Sequence, residues 1–133
     1  MPFEYLDHSS DVKIRACGKS LEESFSSAAY ALSALVYDPK AVSPVRSISV
    51  RLHTTRLKSL LFDFLQTLIV RFESEAFLLH DVKELRIFSR YELEAILRGD
   101  DAGNYECSSG AKAVTYSEME INDDYTVTVV VDV

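Results

Sequence analysis

The stretch that decides the fold is Y-T-V-T-V-V-V-D-V, residues Tyr125 to Val133. Val127, Val129 and Val131 alternate with Thr126 and Thr128, the period-2 pattern of a half-buried strand rich in β-branched side chains. The sequence ends there. A last strand paired into a sheet is therefore expected to hold the Asp132 carboxylate and the terminal carboxylate of Val133 close together, where chain ends generally fray. Two negative charges held within a few ångströms repel each other unless a proton, a basic side chain or a metal ion compensates them.

Working outward from this strand, Asn122-Asp123-Asp124 reads as a tight turn and Lys112 to Ile121 as the antiparallel partner strand. Gly99 to Gly110 (G-D-D-A-G-N-Y-E-C-S-S-G) is the one plainly loop-like segment, long enough to be expected mobile or functional. Before it, Tyr91, Leu93, Ala95 and Leu97 alternate with Glu92, Glu94 and Arg98 and predict a strand, with a short helix over Arg90 to Leu97 as the alternative. Phe77 to Leu79 is a short apolar run, and Leu85 and Ile87 flank Arg86 in a further strand pattern.

Two helices are predicted. Leu57, Leu60, Leu61, Phe64, Leu65, Leu68, Ile69 and Phe72 repeat at helical spacing over four turns, with Thr54 or Thr55 as the expected cap. The earlier helix begins after Ser20, three residues before Glu23, and carries Leu21, Phe25, Ala28, Ala29, Leu32, Leu35 and Val36 on one stripe. Asp38-Pro39 is expected to stop it. Ile48, Val50 and Leu52 alternate with polar residues as a strand between the helices. Val12, Ile14 and Ala16 alternate with Lys13 and Arg15 as a strand that Gly18 ends, and Phe3 to Asp11 reads as irregular, with H-S-S-D (His8 to Asp11) a polar turn. The order β-α-β-α followed by several strands predicts an α+β two-layer sandwich in one domain over residues 1–133, a mixed β-sheet with two helices on one face. If the strand after Asp11 neighbours the last strand, Asp11 meets Asp132 at one edge.

Composition narrows the function. In 133 residues, 47% are apolar and 26% charged, as in a soluble globular protein with a sizeable core. No basic region followed by a long apolar stretch opens the chain, and no apolar run approaches a membrane span. Cys17 and Cys107 stand far apart without a C-x-x-C or Cys/His cluster, as expected of free thiols in the cytoplasm. With 21 acidic against 14 basic side chains, the net charge of −7 disfavours strong direct nucleic-acid binding.

Asp11, Asp132 and the Val133 carboxylate together would form an all-oxygen set, the kind that hard divalent cations prefer. The plainer reading makes Asp11 a turn residue and Asp132 a solvated strand-end residue. His8 would serve in a capping or outer role rather than as a calcium ligand. Lys112 either neutralises the acidic group, touches a phosphate, or is a solvated strand-end lysine. His53 and His80-Asp81 lack a nucleophile and an orienting partner and read as surface or capping residues. Four glycines form neither G-x-G-x-x-G nor a P-loop.

H-S-S-D-V-K-I-R-A-C-G-K-S-L-E-E-S-F (His8 to Phe25), K-A-V-T-Y (Lys112 to Tyr116) and the D-V that ends a valine-rich strand together resemble the archease family over essentially the whole chain. The resemblance implies a cytosolic accessory protein of the GTP-dependent tRNA-splicing RNA ligase, one that promotes guanylylation and multiple turnover of the ligase. It also implies a metal site, with calcium, formed by Asp11, Asp132 and the carboxylate of Val133, and a family lysine at Lys112. Two departures stand out: Ser117 replaces the histidine that usually follows K-A-V-T-Y, and Gly99 to Gly110 lacks the longer, proline-containing loop of the family. A metal-dependent phosphoester hydrolase, or a broader chaperone of an RNA-modifying enzyme, are the alternative readings.

Overall fold

The computed structural model describes residues 3–7, 11–108 and 111–133. Seven strands and two helices run β1 (Phe3–Asp7), β2 (Asp11–Ala16), α1 (Leu21–Ala34), β3 (Arg46–His53), α2 (Leu57–Glu75), β4 (Phe77–Phe88), β5 (Glu92–Asp101), β6 (Ala113–Ile121) and β7 (Val127–Asp132). The α+β class and both helices are as the periodicity predicts. The strands divide differently: one mixed sheet was expected, whereas they form two antiparallel sheets, β1-β2-β7-β6 and β3-β5-β4. Hairpins make β4–β5 and β6–β7 neighbours, and antiparallel partners satisfy their backbone groups without a crossover.

Both helices touch both sheets, α1 against β2, β7 and β4, α2 against β6, β3, β4 and β5. One continuous core results, joining Ile14, Val114, Val127, Val129 and Val131 of the first sheet to Val50, Phe77, Leu93 and Leu97 of the second. The face of α2 that its periodicity marks as apolar is the buried one: Leu60, Leu61, Phe64, Leu65, Leu68 and Ile69 are buried, whereas Val70, beside the stripe, is half exposed. On α1 the small residues Ser24, Ser27, Ala28 and Ala31 lie buried with Phe25, so this helix approaches its neighbours closely.

Ends of elements show where local pattern stops being decisive. Ser20 caps α1 as its spacing with Glu23 predicts, accepting the Glu23 N–H at 3.1 Å. The helix nevertheless stops at Ala34, four residues short of Asp38, and Asp38 instead accepts the Lys40 N–H to cap a 3₁₀ turn over Pro39–Ala41. Neither Thr54 nor Thr55 caps α2. Its cap position is Arg56, and the Thr54 hydroxyl donates to the Arg56 carbonyl at 2.8 Å. Phe3–Asp7, expected to be irregular, is an edge strand on β2, with Phe3 opposite Ala16 and Asp7 opposite Val12.

The two apolar patterns between Phe77 and Ile87 belong to one twelve-residue strand, interrupted by register shifts at Leu79/Asp81 and Lys83/Arg86, the second holding Glu84 at φ 51°. Such bulges move side chains to the other face, so alternation breaks although the strand continues. Gly99 to Asp101, assigned to the loop by composition, extend β5. The segment after β5 is anchored: the Tyr105 hydroxyl donates to Asp100 Oδ2 at 2.7 Å, and the Ser108 N–H donates to the Val36 carbonyl at 2.8 Å.

On the second sheet Arg98 donates two hydrogen bonds to Asp81, Nε to Oδ1 at 2.8 Å and Nη2 to Oδ2 at 2.6 Å. These bonds hold the Asp81 carboxyl below the usual carboxylate range. The folded chain then binds this proton less readily than the unfolded chain, so the pair stabilises above the unfolded value and its contribution disappears as pH falls through the folded one. Thermal unfolding recorded from neutral pH to below about pH 4 should therefore fall less steeply on the acid side for Arg98→Gln than for the parent. Parallel curves would show that this pair carries no linkage.

Candidate functional site

β2 and β7 are the inner strands of the four-stranded sheet, and their register sets the site. Val12 pairs with Val131, Ile14 with Val129 and Ala16 with Val127, which keeps the apolar rows on the core side. Asp11 then pairs directly with Asp132 at the strand end. Residues paired across an antiparallel ladder put their side chains on the same face, with Cβ atoms roughly 5 Å apart. The two aspartates therefore share the face turned away from the core valines. A slip of one residue would bury them, so the hydrophobic rows themselves enforce the carboxylate pairing.

β6 completes the edge of this site. Ala113 pairs with Asp132 on the side opposite Asp11, and the Lys112 N–H donates to the Asp132 carbonyl at 2.7 Å. Three of the positions singled out in the sequence, Asp11, Asp132 and Lys112, thus converge at one end of one sheet, with Val133 next in the chain. Asp11 is partly exposed, and Asp132, Lys112 and Val133 are exposed. His8 lies outside the described residues.

Among the described residues no three His, Cys, Asp or Glu side chains gather in a metal-holding group. Two aspartates are present, and the third oxygen donor expected here is a main-chain carboxylate, not a side chain. The donor chemistry fits a hard cation: carboxylate oxygens on one exposed face leave remaining coordination positions to water. A borderline-soft ion such as zinc prefers sites rich in nitrogen or sulfur ligands, which the described residues do not place there.

The other candidates separate from this corner. The ring of His80 stands 3.2 Å from the Pro39 carbonyl through Nδ1, which suits a capping role, and Asp81 is engaged by Arg98. His53 is exposed at the end of β3. Cys17 and Cys107 are free thiols. A groove of about 760 Å³ lined by Phe3, Tyr30, Tyr37, Lys40 and His80 contains none of the aspartates at the strand end. Sequence reading passed over two charged neighbours of the site: Lys13, one row in from Asp11, and Glu118, whose carboxylate lies 3.4 Å from the Lys13 ammonium. The D-x-K spacing of Asp11 and Lys13 was the available signal for the first, since alternate strand residues share a face. No local pattern announces the second.

A small α+β protein with two antiparallel sheets and an exposed aspartate pair at the end of its inner strands is the class that this fold and corner define. Residues 3–133 match the archease protein family (MTH1598/TM1083). The chain belongs to the archease family. It is 34% identical over 125 residues to protein archease of Ictalurus punctatus, covering 91% of this chain and 77% of the relative. It is 33% identical over 139 residues to protein archease of Methanosarcina barkeri, covering 98% and 95%. In three dimensions it is similar to the solution structure of Methanobacterium thermoautotrophicum protein 1598, with a TM-score of 0.79 at 24% identity over 98% of both chains. It also resembles the crystal structure of an archease, a possible chaperone, from Thermotoga maritima, with a TM-score of 0.62 at 17% identity over 96% of this chain and 92% of that one. Both structural likenesses are to the fold. No helix among the described residues is long and apolar enough to cross a membrane.

Proposed function

We propose that this protein is an accessory factor of the GTP-dependent tRNA-splicing RNA ligase and acts through a divalent-cation site, with calcium the expected ion, at the Asp11–Asp132 corner. Membership of the archease family supports the accessory role, and one observation carries the site: the direct pairing of Asp11 with Asp132 across the inner strands. Asp11, Asp132 and the carboxylate of Val133 would hold the ion. A divalent cation held there would supply charge stabilisation to phosphoryl chemistry in the ligase to which the corner would be presented.

The protein's own residues have positional tasks. The β2–β7 ladder keeps both carboxylates on one exposed face. The backbone bond from Lys112 to Asp132 keeps the first residue before β6 beside them, so that the Lys112 ammonium can meet a phosphate or the partner's acidic groups. With Ser117 where the family resemblance implies histidine, an imidazole from that position plays no part in this chain.

Ligase guanylylation with GTP, measured with the purified protein, with Asp132→Ala and with residues appended after Val133, tests the reading. Loss of stimulation on the order of tenfold or more is expected for Asp132→Ala, and comparable loss for the extended chain. Full stimulation by both variants refutes it.

A further inference from the structure

The sheet face of the proposed cation site also carries a partly buried ammonium, and this inference rests on that reading. Lys13 stands one row in from Asp11 on β2, opposite Val130. Val130 is fully buried and Thr128 nearly so, although both alternate with the core-facing Val127, Val129 and Val131 and so lie on the opposite face. That face is therefore covered inward of the aspartate row and open at Asp132. A lysine stem lies along apolar surface while its ammonium seeks charge. The Lys13 side chain is only 22% exposed, and its ammonium lies 3.4 Å from Glu118 Oε1. Since β7 runs between β2 and β6, this ion pair reaches across the inner strand.

Glu118 can meet it because β6 leaves register there. The pairing with β7 shifts between Thr115 and Glu120, and Glu118 is held at φ 53°, a left-handed conformation unfavourable for a residue with a side chain. Alternate rows of a strand are only about 7 Å apart, a distance comparable to the reach of a lysine stem. An ammonium delivered to two carboxylates neutralises the charge that would attract a cation.

We propose that Lys13 is an internal counter-ion that competes with a divalent cation for the Asp11–Asp132 pair, and that Glu118, presented by the β6 bulge, draws it away across β7. The bulge thereby sets the affinity of the site. Lys13 and Glu118 are positioning residues: neither is assigned to the ion itself.

Calorimetric titration with calcium tests this on the full chain, using the parent, Lys13→Met, Glu118→Gln, the double variant and Asp132→Asn, each checked for native circular dichroism. A unit charge moved by several ångströms at a half-exposed site alters divalent binding by roughly tenfold. Lys13→Met should tighten binding by about that factor and Glu118→Gln should weaken it by about as much. In the Lys13→Met background Glu118→Gln should cost less than about threefold, because the ammonium it restrains is gone. Equal losses in both backgrounds would make Glu118 a direct attraction for the ion and overturn the proposal, as would unchanged affinity in Lys13→Met. Asp132→Asn separates the two levels. If it binds calcium as the parent does, or if the parent binds none, the carboxylate-pair reading fails and this inference with it. If Asp132→Asn loses binding while Lys13→Met titrates like the parent, only the role of Lys13 fails.

Discussion

Gly99→Ala is expected to destabilise the protein by about 3 kcal/mol or more, a large effect for one methyl group. Gly99 lies inside β5 between Arg46 of β3 and Leu79 of β4, and its carbonyl accepts the Val45 N–H at 3.0 Å. A Cβ placed there would overlap the Leu78 carbonyl oxygen and come within 2.9 Å of Phe77 Cζ. Backbone oxygen in a ladder cannot turn aside as a flexible side chain does, so strand separation or a shifted Phe77 must make the space. Both the sheet and the core beneath it would be disturbed. Gly103 is the internal control: a Cβ added there meets nothing within 4 Å, and Gly103→Ala should change stability by under about 0.5 kcal/mol. Urea unfolding of the two variants checks the contrast, and equal midpoints would show that the β4–β5 ladder tolerates the insertion.

Phe64→Ala is expected to cost about 3–5 kcal/mol. The ring is fully buried on α2 and stacks against Phe25 of α1, with centroids 6.3 Å apart and planes inclined by 24°. It therefore joins the two helices as well as filling the core, and truncation leaves a cavity between elements held by both sheets. A close-packed interior relaxes only partly around such a loss. The melting temperature should fall by roughly 10 °C or more, whereas Val70→Ala, on the exposed side of the same helix, should stay within about 0.5 kcal/mol of the parent. Calorimetric melts of both variants check this. A small loss at Phe64 would mean that the α1–α2 contact closes over the gap.

The aspartate pair was legible in the sequence because it depends on two simple properties. Asp11 precedes a strand whose alternation is clear, Asp132 ends another, and once those strands are neighbours their valine rows align both carboxylates. Lys112 could be anticipated for the same reason, as the residue opening the partner strand of β7. Glu118 could not. Its approach to Lys13 depends on a bulge, and a bulge is a disagreement between two paired strands that neither strand shows alone. Gly99 to Asp101 were similarly hidden: Gly-Asp-Asp reads as a turn by composition, and only the company of β3 and β4 makes it strand.

By itself the sequence determined the helical face of α2, the Ser20 cap, the valine rows and the family, since each rests on spacing within one short segment or on quoted motifs. The tertiary structure alone decided that the strands part into two antiparallel sheets, that Phe3–Asp7 joins one of them, and that the Lys13 ammonium crosses β7 to Glu118. The physical reason is the range of the interaction. Periodicity records which side of an element avoids water, while the choice of neighbour is made by backbone hydrogen bonds and charges between residues far apart in the chain.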